Sequence, residues 1–141
     1  MPAVATTVIS HEALLGLAAP GGPVYNHWLR LMLRIDAAAK RNLSGHMVHV
    51  RTGNLRASQS APTILSRGPL IVGVAENKAS YALYVHEGTG QHEIRPRRAK
   101  VLRFTPTGGG RPVFRPMVMH PVTKAKPFLM DAMIEVVATG V

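Results

Sequence analysis

The sequence predicts an α+β fold: an antiparallel sheet of about four strands, a long N-terminal helix and a C-terminal helix packed on it, and long projecting loops. Three observations predict it. Val24–Asn42 and Pro127–Ala138 carry apolar residues at helical spacing. Short aliphatic runs between them are separated by glycine-containing links, the pattern of hairpin strands. Helices laid on one face of an antiparallel sheet cover the apolar surfaces of both.

The chain has 141 residues, enough for one domain that buries roughly 70% of its unfolded surface. Met1–Pro23 is read as an N-terminal arm and residues 24–141 as a single α+β domain. Within the arm, Met1–Ser10 is a lead-in, Ser10 caps a short helix over His11–Ala18, and Pro20-Gly21-Gly22-Pro23 breaks it. Trp28, Met32, Ile35 and Ala39 then share one face of the long helix, flanked by Leu31 and Ala38, while Arg30, Arg34 and Arg41 point elsewhere. Such a stripe suits a sheet better than a membrane surface. Asn42-Leu43-Ser44-Gly45 supplies the stop.

Ala57–Ser66 reads as a strand that Pro62 pushes toward an edge, and Pro69–Ala75 as a stronger one. The short link Ser66-Arg67-Gly68 makes them an antiparallel hairpin. Ser80–Val85 has helical spacing for one or two turns, ended by Gly88-Thr89-Gly90. Gln91–Lys100 reads as a long basic loop. Val101–Thr105 and Pro112–Met119 read as two further strands, joined by Pro106-Thr107-Gly108-Gly109-Gly110. Pro127 suits the first position of the last helix, whose apolar face is Phe128, Leu129, Ala132, Met133, Val136 and Val137 and whose polar face is Asp131 and Glu135.

Charge and chemistry narrow the function classes. The net charge of +10 favours anionic neighbours: nucleic acid, a membrane surface or acidic protein. Nine of the seventeen basic residues lie in Arg95–Lys126, which holds no acid: Arg95, Arg97, Arg98, Lys100, Arg103, Arg111, Arg115, Lys124 and Lys126. In alternating strands half of these would face away from the others. With one Trp, three Tyr and three Phe, a base-stacking platform is poorly supported. The absence of cysteine excludes disulfides, a thiol nucleophile and Cys-type zinc sites, and fits a reducing cytoplasm. No apolar run approaches the roughly 20 residues that span a bilayer. Met1–Leu17 lacks a positive lead and contains Glu12, so no secretory signal is expected.

His86-Glu87 and His92-Glu93 repeat one dipeptide, and imidazole with carboxylate can ligate a divalent metal, with His120 as a third candidate. The spacing is not that of two histidines on one helical face, and glycines interrupt it. Gly108-Gly109-Gly110-Arg111 is followed by neither Lys-Ser nor Lys-Thr, so it is not a phosphate loop. Ser58 and Ser60 lack the context of an activated nucleophile. The expectation is a protein without catalytic residues, metal or cofactor.

Three segments in fixed order are more specific: Arg51-Thr52-Gly53-Asn54-Leu55-Arg56-Ala57-Ser58, Tyr81-Ala82-Leu83-Tyr84-Val85-His86-Glu87-Gly88-Thr89-Gly90, and His120-Pro121-Val122-Thr123-Lys124-Ala125-Lys126-Pro127-Phe128-Leu129. Together they resemble the tail-component family of long-tailed double-stranded DNA phages, described as neck, head–tail joining or tail-completion proteins. The resemblance covers roughly Val24–Met133. The chain departs from it with His86-Glu87, where an acidic or aromatic pair is usual, and with Val122, where glycine is common.

The resemblance implies a structural virion protein, assembled in the host cytoplasm and placed in the neck between head and tail. It implies a homo-oligomeric ring, hexameric by the symmetry of tails, around the DNA channel. The ring would contact a head connector or stopper protein on one side and a tail terminator or tail tube protein on the other. Arg51, Asn54, Tyr81, Tyr84, His86, Glu87, Gly88, Thr89, Gly90, His120, Lys124, Lys126 and Phe128 would serve subunit interfaces. Arg95, Arg97, Arg98, Lys100, Arg103, Arg111 and Arg115 would meet DNA in the channel or an acidic partner; no membrane is involved. Two alternatives come from the residues alone: a free-standing basic nucleic-acid-binding protein, and a metal-dependent hydrolase using His86, His92 and a carboxylate.

Overall fold

The computed structural model describes residues 10–50, 52–68, 70–106 and 108–140. Expectations that fall on Met1–Ile9, Arg51, Pro69 and Thr107 lie outside the described residues. The fold is mixed helix and strand, with a long N-terminal and a C-terminal helix and short antiparallel strand pairs. It divides into two compact units. One comprises the chain up to Ala82 together with its return from Pro127, and the other is Leu83–Lys126.

The first unit opens with α1 (His11–Ala18), whose Ser10 cap accepts a hydrogen bond from the Ala13 amide at 3.1 Å. Gly22 makes the tight passage to the next helix possible, because a Cβ there would lie 2.5 Å from the Leu17 carbonyl oxygen. Helix α2 (Pro23–Arg41) then starts with proline at its first position, where no amide is needed. Met32, Ile35, Ala38 and Ala39 of α2 are buried with Ala132 and Val136, and Leu31, Ile64, Ala75 and Leu129 pack round them. Trp28, expected on the same stripe, is 37% exposed, so the buried stripe begins one turn later. At the end of α2, the Met47 and Val48 amides both donate to the Asn42 carbonyl, at 3.0 and 3.1 Å, and Gly45 takes φ +100°.

A single helical turn, α3 (Asn54–Ala57), follows Gly53 at φ +73°. Its last residue, Ala57, is the first of the segment expected as strand, and β1 (Thr63–Arg67) begins only past Pro62. Strand β1 pairs antiparallel with β2 (Leu70–Val74), from Thr63 opposite Val74 to Arg67 opposite Leu70. Gly68 turns the hairpin at φ +60°. Ile64, Ser66, Ile71 and Gly73 form the inner face. Helix α2 reaches this face closely at Gly73, where a Cβ would sit 2.5 Å from Met32 Sδ and 2.7 Å from Met32 Cγ.

Helix α5 (Phe128–Ala138) runs antiparallel to α2. The Asn42 side-chain amide donates to the Phe128 carbonyl at 3.0 Å, Arg41 pairs with Glu135, and Arg34 donates to the Gly140 carbonyl at 2.6 Å. Two of the three α2 arginines expected to point elsewhere thus tether α5. The ion pair is half-exposed and contributes ~1 kcal/mol or less; the arginine on the last carbonyl also favours the negative end of the helix. Pro127 is the cap rather than the first helical residue. The buried positions are Phe128, Ala132 and Val136, spaced by four. Met133 and Val137, expected on that face, are exposed, as are Met130 and Ile134.

In the second unit, α4 (Ala82–Glu87), which starts from the last residue of the first, ends at Gly88. Strand β3 (His92–Ile94) lies inside the segment expected as loop and pairs with β6 (Val118–His120). Strands β4 (Leu102–Phe104) and β5 (Val113–Arg115) pair with each other. Pro112–Met119, expected as one strand, splits into β5 and β6 at Pro116-Met117; Pro116 has no amide to continue a ladder. The described strands therefore form three separate two-stranded ladders, and no ladder among them joins the expected sheet of about four strands. Among the described residues no helix is long and apolar enough to cross a membrane.

The seat of α2 on the hairpin is testable. Gly73→Val should destabilise the protein by about 1–3 kcal/mol through overpacking. Truncating Met32 in that background should recover part of the loss. Urea unfolding of the single and double variants measures the coupling, and strictly additive losses would place Met32 elsewhere.

Candidate functional site

The second and third motif segments meet along their backbones within the second unit. The Thr89 amide donates to the Thr123 carbonyl at 3.1 Å, and the Thr123 amide returns the bond to Thr89 at 2.9 Å. The Lys126 amide donates to the Val85 carbonyl at 3.0 Å, using an acceptor that the end of α4 leaves free. Gly88 sits between these bonds at φ +75°, and a Cβ on it would lie 2.4 Å from the Thr123 oxygen and 2.7 Å from the Ala125 nitrogen. Both the backbone conformation and the space require glycine there. Gly90 has neither demand: nothing lies within 4 Å of where its Cβ would be, and its φ is not in the left-handed region.

The first motif segment is tied to the start of the second within the first unit. Asn54 Nδ2 donates to the Tyr81 hydroxyl at 3.2 Å. Asn77 Nδ2 donates to the Leu55 carbonyl at 2.7 Å, and backbone bonds join Ser58 with Lys78 and Ser60 with Glu76. Arg51 lies outside the described residues.

What the interlock leaves outside is apolar. Leu83 and Tyr84, five and four residues before Gly88, are each 60% exposed. They border a shallow cavity of about 420 Å³ with Glu87, Gly90 and His92. Sequence spacing marked Tyr84, but not Leu83 or the 69%-exposed Val122. His86, Gly88 and Thr89 are half-buried, while Glu87, Gly90 and Lys124 are exposed. Lys126 is half-buried, and its amide is committed to Val85. Phe128 is 2% exposed and fills the interior of the first unit, so its ring offers no surface to a neighbour.

His92 and His120 are cross-strand partners with rings stacked at 5.0 Å between centroids. His92 Nδ1 donates to the Gly90 carbonyl at 3.0 Å and His120 Nδ1 to the Pro121 carbonyl at 2.9 Å. The ladder thus brings two of the candidate imidazoles together. Among the described residues no three His, Asp or Glu side chains converge as metal ligands.

The second unit concentrates charge. Residues 83–126 hold nine of the seventeen basic residues and two of the seven acids, Glu87 and Glu93, and Glu93 is engaged by Arg95. Arg95, Arg97, Arg98, Lys100, Arg103, Arg111 and Arg115 are all exposed. The register pairs Leu102 with Arg115 and Arg103 with Phe114, so Arg103 and Arg115 stand on opposite faces of one ladder.

No protein-family model, curated protein or solved structure matches this chain.

The two glycines give a paired test. Gly88→Ala should cost about 1–3 kcal/mol and speed hydrogen exchange at the Thr89 and Thr123 amides, while Gly90→Ala should leave both unchanged. Equal behaviour of the two variants would remove Gly88 from its place in the interlock.

Proposed function

We infer that this chain is a non-enzymatic building block of a phage neck, one subunit of a ring that joins the DNA-filled head to the tail in the virion. The observation that carries the reading is the meeting of the ordered motif segments. Asn54 holds Tyr81, and Gly88 lets residues 85–89 lock onto residues 123–126. Residues scattered over most of the chain thus serve a few backbone junctions, from which Leu83 and Tyr84 project into solvent. Such an arrangement builds a contact surface. The ring would meet a head connector or stopper protein and a tail terminator or tail tube protein, and it would close by head-to-tail contacts.

Tyr84→Ala removes an exposed ring and should leave the fold intact. Phage assembled with it should accumulate filled heads and free tails in electron micrographs, with few joined particles. Joined particles at the normal yield would take Tyr84 out of the interface, and a particle map that puts the protein away from the head–tail junction would end the neck reading.

A second reading rests on the charge of residues 83–126: the unit binds nucleic acid directly. With about five phosphates neutralised, log affinity should fall against log salt with a slope of about −4.5. The double substitution Arg97→Glu, Arg98→Glu should flatten that slope by about two. A duplex that fails to bind at low salt would leave acidic protein as the partner of these residues.

A further inference from the structure

The first unit carries two apolar surfaces that its own core does not use. One is the outer face of the β1–β2 hairpin. Register and alternation put Thr63, Leu65, Arg67, Leu70, Val72 and Val74 together on it, and its four aliphatic members are 38–58% exposed. The other is the outer side of α5. Phe128, Ala132 and Val136 point into the core, and helical spacing carries Met133, Ile134 and Val137 round to the far side, 43–62% exposed. A helix apolar on both sides is normally buried on both, and an antiparallel sheet with two apolar faces needs a layer on each.

The two surfaces are different in kind and direction. Met32 of α2 lies under the hairpin, whereas Arg34 and Arg41 reach from another side of α2 to α5. The sheet face and the helix stripe therefore look away from α2 in different directions. They also fit one another: a sheet face lacks a covering helix, and a helix stripe lacks a sheet. Their charges are complementary as well. Arg67 is the charged residue of the sheet face, Asp131 stands one turn before Ile134 beside the helix stripe, and neither forms an ion pair among the described residues.

We propose that the partner of both surfaces is a second copy of this chain: the α5 stripe of one subunit covers the outer hairpin face of the next, with Asp131 meeting Arg67. Because the surfaces are unlike, the contact is head-to-tail and repeats from copy to copy until it closes. The proposal rests on the ring reading above and names the faces through which the ring forms. The net charge of +10 opposes association of like chains, so this contact strengthens as salt screens the repulsion.

The cysteine-free chain makes the test direct. Full-length Val72→Cys and Ile134→Cys proteins, one carrying a tag to distinguish their masses, are mixed at high salt. They are then treated with a bis-maleimide reaching about 10 Å, the spacing of packed layers. The expected product is the mixed dimer, and the doubly substituted chain should give a ladder of covalent oligomers. Val137→Glu in the Ile134→Cys chain or Leu65→Glu in the Val72→Cys chain, both at exposed positions, should abolish it without changing the circular dichroism. A mixture that stays uncrosslinked overturns the proposal, and so does one in which each variant links only to itself. Association that weakens with salt overturns it too. None of these results bears on where the protein sits in a particle, so the neck reading stands or falls separately.

Discussion

The contact between Met32 and Gly73 sets the distance between α2 and the hairpin, and the first unit is arranged around it. A side chain at Gly73 would lift the helix off the sheet. Small residues play the same part on the other side of α2, where Ala38 and Ala39 are buried with Ala132. A long helix can thus touch a two-stranded ladder and a second helix at once. The hairpin needs that helix, since two strands alone are marginal in water. Asn42 fixes the geometry further by donating from its buried side-chain amide to the Phe128 carbonyl at the start of α5.

The second unit has no comparable core and is held by backbone. Its described strands are three residues long, and among the described residues no buried apolar side chain belongs to 83–126. Reciprocal bonds between Thr89 and Thr123, the bond from Lys126 to Val85, and short ladders carry its order. Such a unit opens more readily than a packed core.

Local signals were legible and non-local ones were not. Helix α1 could be read to the residue because Ser10 caps it and a proline–glycine run stops it. The hairpin β1–β2 was legible because Gly68 lies between two aliphatic runs. The pairing of β3 with β6 was not, since three-residue strands show no period and their partners are 24 to 28 residues apart in the chain, from Ile94 opposite Val118 to His92 opposite His120. Helix α5 defeated periodicity for another reason. Almost every position is apolar, so nothing in the spacing distinguishes the buried Phe128–Ala132–Val136 row from the exposed Ile134 and Val137. The small Ala132 decides the matter, because it is the residue that lets α5 come close to α2. Within the site, Gly88 and Tyr84 could be singled out by residue type, but the bonds joining their segment to Thr123 and Lys126 appear only in three dimensions.

The β4–β5 ladder has a consequence for what can lie against it. Arg103 projects from one side and Arg115 from the other, with a two-stranded sheet as the only thickness between them. A flat anionic body laid on either side would neutralise one guanidinium and leave its opposite number bare. Full compensation takes two such bodies, or one that wraps around. The ladder is thus cationic on both faces, and two anionic surfaces, one to a side, would compensate it fully.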